Sequence, residues 1–355
     1  MSWLRALHRY IGVVAAILLF ILAVTGGVLI FKQEIWSLRF PALSEPWVNP
    51  SAAQIAEAFG AIQAEYADGI RLIRVPQPDI RAYHVYLETG EVLWRQDGAG
   101  AVAEWAWFES PLGVITELHR HLAAGDFGNS LLGWLGLVAT LMAVSGMILW
   151  WPVRHQFRVA SLRPRRLSRS ALLRMHRDLG VLTAVLIILF ALTASAVVFG
   201  QGARNLLNHL LSPDARASAP VRVVAAGQFD PPSGGMIERV IEALPGARLM
   251  SWSPPRPENA VHYFRLRQVG EVHPYGRSTV HIDARSGRVL AVSDATRAPV
   301  GDRVANWMYP LHAARWGGVA YRVIALAAAL VLVLMSLTGI ICFVRGLRSR
   351  VSKNH

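Results

Sequence analysis

Four stretches of this 355-residue chain, 11–31, 127–151, 179–202 and 323–344, contain no charged side chain. Each exceeds the roughly 20 residues that an α-helix needs to cross about 30 Å of hydrocarbon at 1.5 Å per residue. Helices in the core of a soluble protein seldom stay uncharged for so long, so the runs read as membrane spans. Composition agrees: charged residues make up 17% of the chain, against about 25% in soluble domains. The net charge of +13 raises a nucleic-acid partner, but the location of the charge excludes it. Residues 152–178 hold eight arginines (Arg154, Arg158, Arg163, Arg165, Arg166, Arg169, Arg174 and Arg177) against Asp178 alone. The tail adds Arg345, Arg348, Arg350 and Lys353, and the amino terminus adds Arg5 and Arg9. The positive-inside rule therefore places both termini and the 152–178 loop in the cytoplasm, and the long loops outside. The first run lacks a small-x-small cleavage site before Lys32 and is expected to be retained as a span. Cys342 is the only cysteine. A disulfide within the chain, a thiolate cluster and covalent haem attachment through Cys-x-x-Cys-His are all excluded.

The chain reads as a duplicated unit. At an offset of 168, Leu7-His8-Arg9 answers Met175-His176-Arg177, Gly12 answers Gly180, and Thr25 answers Thr193. At an offset of 193, Leu118-His119 answers Leu311-His312, Gly125 answers Gly318, Met142 answers Met335, and Ser145-Gly146 answers Thr338-Gly339. Apolar matches carry little weight between membrane helices; a histidine heading all four does. The resulting plan has spans at 1–31, 119–151, 179–202 and 312–344, the second and fourth with outer extensions. Extracytoplasmic domains fill 32–118 and 203–311, a basic cytoplasmic loop 152–178, and a tail 345–355.

Each long loop reads as a small α+β domain. In the first, 52–66 has apolar residues at helical spacing (Ile55, Ala58, Phe59, Ile62). Strand-like stretches follow at 70–75, 83–87 and 92–94, with a turn at Thr89-Gly90. The second loop repeats the order, with a helix at 236–243 and strands at 248–252, 262–267, 279–283 and 288–292, turning at Ser286-Gly287. The prolines Pro231, Pro232, Pro254, Pro255 and Pro257 read as turns and connectors. The expected fold is a membrane protein with four transmembrane helices in two repeated pairs and two α+β extracytoplasmic domains.

Topology sorts the four histidines. His8 and His176 head outward-running helices and share the cytoplasmic face; His119 and His312 head inward-running helices and share the outer face. Two imidazoles at one depth on neighbouring helices suit a six-coordinate haem iron held in a bundle core. A closed zinc site wants four ligands, and each layer offers two. His119 lies twelve residues before Leu131, so a continuous helix would lift it about 18 Å above that point. Gly125, Gly128, Gly317 and Gly318 are candidate helix breaks that lower the outer pair. His121 and His209 remain rivals of His119, whereas His155, His262, His273 and His281 lack repeat partners and read as loop residues. Arg9 and Arg177 are candidate partners for haem propionates, with membrane anchoring the alternative. Gly12, Gly180, Gly146 and Gly339 permit close approach of a flat ring or a neighbouring helix. Trp105, Trp107, Trp307, Tyr309 and Trp316 would form an outer docking surface or an interfacial aromatic belt.

Taken together, the Leu7-His8-Arg9-x-x-Gly12 opening, Leu-His at 118–119 and 311–312, and Ser145-Gly146-Met-Ile-Leu-Trp-Trp-Pro152 resemble the PepSY-associated transmembrane helix family. Thr338-Gly339 and the hairpin His281-Ile-Asp-Ala-Arg-Ser-Gly-Arg-Val289 fit the same pattern, which spans essentially the whole chain. The resemblance implies PepSY-like loop domains. Similar bacterial inner-membrane proteins include ferric-siderophore reductases, among them ferrioxamine reductases, which carry two b-type haems. It therefore implies electrons passing from the His8/His176 haem to the His119/His312 haem and on to a ferric siderophore in the periplasm, with release of Fe(II). The chain has no Gly-x-Gly-x-x-Gly fingerprint, so the donor would be membrane quinol or a separate protein. Two other readings stand beside this one: a non-catalytic PepSY sensor or peptidase-regulating protein, and a haem or metal permease component.

Overall fold

The computed structural model describes residues 1–214, 221, 223, 229–256 and 258–351, without the side chains of 68 and 348–351. The turn expected at Pro257 and the charges of Arg348, Arg350 and Lys353 lie outside that description. In chain order the elements are α1 (Ser2–Leu29), α2 (Lys32–Arg39), α3 (Ala52–Tyr66), β1 (Ile70–Arg74), β2 (Ala82–Leu87), β3 (Gly90–Arg95), β4 (Ala101–Ala106), α4 (Pro111–His121) and α5 (Gly125–Trp150). They continue with α6 (Arg169–Leu211), α7 (Gly234–Ala243), β5 (Arg248–Ser253), β6 (Val261–Arg267), β7 (Ser278–Asp283), β8 (Val289–Ser293), α8 (Val300–His312) and α9 (Gly318–Val351). Contacts divide the chain into two units. A helical unit takes the residues up to Ile30, Ile115–Ala203 and those from Leu311 on; a sheet unit takes Phe31–Val114 and Arg204–Pro310.

All four apolar runs lie in helices long and apolar enough to cross a bilayer: Ser2–Leu29, Gly125–Gln156, Arg169–Leu211 and Gly318–Leu347. Large apolar side chains such as Val14, Trp134, Val185 and Val323 are exposed on them, a surface that lipid would satisfy and water would not. Small residues let the helices approach. A Cβ on Gly133 would stand 2.7 Å from the Phe199 ring, and Ser195 Oγ donates to the Gly133 carbonyl at 2.8 Å. That is how α5 meets α6 without a ridge of side chains between them. Helix α6 begins at Arg169, a decade of residues before the uncharged run, and is broken at Gly200 (φ 41°, ψ −97°).

The outer extensions are separate helices rather than continuations of the spans. α4 stops at His121, and Leu122, Ala123 and Gly125 adopt positive φ (50°, 55°, 55°). α8 stops at His312, and Ala314, Gly317 and Gly318 do the same (51°, 73°, 63°). Gly128 makes the first turn possible, because a Cβ there would fall 1.7 Å from the His121 carbonyl oxygen. A continuous helix would have carried His119 far from the span; the break removes that height.

In the sheet unit the strands of both loops join one antiparallel sheet in the order β4-β3-β2-β1-β5-β6-β7-β8. The join is β1 with β5, where Ile73 faces Trp252 and Arg74 faces Ser251. One apolar cluster runs across it, from Ile55, Phe59 and Ile62 of α3 through Ile73, Val85, Trp252 and Phe264 to Ile237 and Val240 of α7. Phe59 stacks on Trp252 at 5.0 Å. The loops read separately in the sequence thus share one sheet and one core. The physical reason is that β1 and β5 would otherwise present an unpaired apolar edge. Ser51 closes a capping box with Gln54 at the start of α3, and the Ser233 side chain caps α7. Strand β4 had no clear pattern in Ala-Val-Ala-Glu-Trp-Ala, because four of its six side chains are too small or too polar to mark a face.

Removing the central ring by Phe59→Ala should cost about 3–5 kcal/mol and lower the thermal midpoint of the full chain. Buried neutral histidines add a pH dependence. Burial pulls His262 down to about 4, and His84 to about 4 despite its hydrogen bond to Glu91. Burial and the surrounding arginines take His273 to about 2. A histidine held below its ordinary value contributes stability above about pH 6.5 that is lost as pH falls toward its folded value. The midpoint should therefore fall between pH 6.5 and 4, as followed by tryptophan fluorescence; a flat profile contradicts this.

Candidate functional site

The four repeat-matched histidines come together as two pairs within the helical unit. The rings of His119 and His312 lie with centroids 6.2 Å apart and planes inclined by 27°. His8 and His176 are within electrostatic reach of each other. Metal–imidazole bonds of about 2 Å from opposite sides of one ion place two ring centroids about 6 Å apart, the spacing of the His119/His312 rings. Among the described residues there is no group of three or more His, Cys, Asp or Glu that could hold a metal. A two-ligand arrangement suits an iron whose other positions come from a macrocycle and does not suit a closed zinc site.

The hydrogen bonds decide which ring nitrogen is available. His8 Nδ1 meets Ser145 Oγ at 2.8 Å, and His176 Nδ1 meets Thr338 Oγ1 at 3.1 Å. His119 Nδ1 meets Thr25 Oγ1 at 3.0 Å, and His312 Nδ1 meets the Phe190 carbonyl at 3.1 Å. Each hydroxyl has already spent its own hydrogen on its helix. Ser145 donates to Met142 O at 2.9 Å, Thr338 to Leu334 O at 2.7 Å and Thr25 to Ile21 O at 2.7 Å. A carbonyl has no hydrogen to give. Nδ1 of His312 must therefore be the donor, and with each hydroxyl bonded back to its own helix Nδ1 of the other three rings takes the same role, which leaves the Nε2 lone pair as the ligating one. This is the outer-shell pattern that fixes the tautomer and orientation of metal-binding histidines.

The surroundings of the rings repeat at the same offsets. A Cβ on Gly146 would lie 3.5 Å from His8 Cε1, and one on Gly339 would lie 3.6 Å from His176 Cε1. A Cβ on Gly12 would lie 3.9 Å from the sulfur of Met142, and one on Gly180 would lie 2.8 Å from the terminal methyl of Met335. The His119/His312 pair is less even. Gly26 is a contact point for His119, with 2.8 Å from a Cβ there to Cε1. The His312 ring is instead flanked by Phe190, 6.3 Å away centroid to centroid.

The rivals of His119 stand in other surroundings. His121 Nδ1 bonds Glu117 on its own helix at 3.0 Å, and His209 is an exposed residue of α6. The two arginines part company. Arg177 commits four of its five N–H donors, with Nε donating to Asp178 at 2.6 Å and further bonds to Asp178 and Gln156. It braces the 152–178 loop and has no free edge for a propionate. Arg9 lies over the Tyr10 ring at 4.5 Å, and its buried Nε has no hydrogen-bond partner. Of the aromatics read as a docking surface, Trp105 is buried against Trp36 and Phe40, while Trp316 is exposed. His262 and His273 are buried in the sheet unit, where His262 accepts from the Trp252 indole at 3.1 Å. The residues missed from the sequence are Thr25, Ser145 and Thr338. They were visible as repeat matches, but only the helix register places them against imidazoles.

A family model described as PepSY-associated TM region matches residues 5–345. No curated protein matches the chain. Gly26→Ala should push the His119 ring off Thr25 and lower the thermal midpoint of the full chain, since a Cβ there would stand 2.8 Å from Cε1 of that ring. Gly69→Ala, where a Cβ meets nothing within 4 Å, should leave the midpoint unchanged.

Proposed function

The chain belongs to the PepSY-associated TM region family, and from that premise we propose that it is a di-haem b-type membrane reductase of ferric chelates. The observation that carries the proposal is the shared arrangement of four histidines in two pairs, each with Nδ1 bonded to an oxygen and Nε2 left out of that bond. Haem b, when bound, supplies a one-electron Fe(III)/Fe(II) couple. His8 and His176 would hold one haem through Nε2, and His119 and His312 the other. Ser145, Thr338, Thr25 and the Phe190 carbonyl hold the rings in place and raise their basicity. Arg9, with its unpartnered Nε, is suited to a propionate.

In this reading the four spans are two copies of one helix pair, with both termini in the cytoplasm of a bacterial inner membrane and the sheet unit in the periplasm. The loops of the sheet unit are two PepSY-like modules joined at β1 and β5. The electron donor is membrane quinol or a separate protein. One quinol oxidised to quinone releases two protons and two electrons, enough to take two ferric siderophores to the ferrous state. Hard oxygen donors hold Fe(II) far more weakly than Fe(III), so reduction releases the metal.

A reduced-minus-oxidised absorption spectrum of the purified protein tests the proposal. Two haems per chain with split α-bands are expected, and bleaching of the reduced bands by a ferric trihydroxamate should follow. A colourless protein from haem-replete cells would sink the reading. Alanine at His8 or His176 should remove one haem, and alanine at His119 or His312 the other; loss of both from every variant contradicts the pairing. Ser145→Ala and Thr338→Ala remove an acceptor but no ligand. Each should weaken haem retention by about 10–100-fold without abolishing it, as measured by haem transfer to an apoprotein acceptor.

A further inference from the structure

The sheet face opposite α3 and α7 carries a row of side chains that the haem reading does not use. Strand pairing sets His84, Arg74, Ser251, Arg265 and Thr279 side by side across β2, β1, β5, β6 and β7. Ile73, Trp252, Phe264 and Val280 point into the core, so alternation turns this row to the other face. The β6–β7 connection adds His273, Tyr275 and Arg277. His273 is 3% exposed, and its proton affinity is depressed first by burial and then by Arg277, Arg265, Arg74 and Arg267. Four guanidinium groups therefore converge on one imidazole.

None of the four is in an ion pair among the described residues. The nearest loop carboxylate, Glu271, is occupied by Gln268 N, Arg277 N and Ser278 Oγ at 2.8, 2.5 and 2.6 Å. Arg204 is answered by Asp302 and Asn306. Arg74 is partly offset by the Tyr275 and Tyr86 rings, 3.9 and 5.0 Å from its Cζ. Arg265 lies 5.9 Å from the Tyr263 ring and reaches its hydroxyl at 3.5 Å, but Nε is buried and unpartnered in both Arg265 and Arg277. Burial, then Arg265 and Arg204, bring Arg277 down to about 10. Arg74, Arg265 and Arg277 are half-buried, Arg267 is exposed, and the Glu91 carboxylate acts on Arg74 alone of the four. Buried, unpartnered Nε atoms among like charges are costly, and folds keep such groups where a ligand supplies the missing partner.

We propose that Arg74, Arg265 and Arg277 form a binding site for a polycarboxylate ligand. The guanidinium fork matches a carboxylate edge with two parallel hydrogen bonds. Arg74 and Arg265 stand on strands separated by one other, about 9.5 Å apart at the backbone, so a ligand with more than one carboxylate is better matched than a single small anion. His273 Nδ1 accepts from Tyr275 N at 3.3 Å, which leaves Nε2–H as a further donor. The site stands on the arginines alone. Naming carboxylate-bearing ferric chelates as the substrate class rests on the reductase proposal.

Calorimetric titration of the full chain in detergent tests the site, with iron-free citrate and inorganic phosphate as probes. Citrate should bind the wild-type protein, and Arg265→Gln and Arg277→Gln should each weaken it at least tenfold. Arg239→Gln, on the exposed side of α7, should leave it unchanged. Arg265→Lys keeps the charge and loses the fork, so it should fold and still bind more weakly. Three results overturn the proposal: no heat with citrate on protein that melts cooperatively, binding indifferent to Arg265 and Arg277, or phosphate binding as tight as citrate with the same arginine dependence. The absorption spectrum separates the two proposals, since a colourless protein that binds citrate keeps this site and loses the reductase.

Discussion

Each of the four paired imidazoles is held by a hydrogen bond between Nδ1 and an oxygen on a facing helix, and the arrangement around it follows from that bond. Ser145 and Thr338 can accept only because their own hydrogens are spent on the carbonyls one turn back. A serine or threonine in the middle of a span has no water to satisfy it, so it bonds back to its own helix and offers lone pairs sideways. The facing histidine then donates from Nδ1 for as long as the hydroxyl keeps that back-bond. Glycines at 26, 146 and 339 leave room for the rings at the points of closest approach. The result is a set of four rings that present Nε2 with little freedom to turn.

The two pairs are built differently although their sequences match. Both rings of the His8/His176 pair donate to a hydroxyl. In the His119/His312 pair one ring donates to a hydroxyl and the other to a main-chain carbonyl. A carbonyl is bound to its helix and cannot be removed by a side-chain substitution, so His312 is the more firmly determined of the two. The helix breaks after His121 and His312 serve the same end, since they bring side chains of the short helices α4 and α8 down to the level of Gly26 and Phe190.

The sheet unit solves a different problem. Four strands with one helix are marginal on their own, with an apolar edge left open. Pairing β1 with β5 closes that edge and merges two small cores into one, at the contact of Phe59 with Trp252. The same join sets Arg74 and Arg265 in one row on the opposite face, although they are far apart in the chain.

Length and the absence of charge were enough to locate the four spans, because lipid imposes a one-dimensional rule that a sequence states directly. Periodicity located α3, α7 and most strands for a similar reason, and repeat offsets singled out His8, His176, His119 and His312. What the sequence left open was every relation between distant segments. It did not place the His119 ring beside that of His312, a relation between helices that only the fold supplies. Nor did it separate Arg9 from Arg177, whose neighbours Asp178 and Gln156 come together only in the folded loop. The eight-stranded sheet and the unpaired arginines on its face also belong to tertiary structure, since strand partners are set by edge closure and core volume rather than by any local pattern.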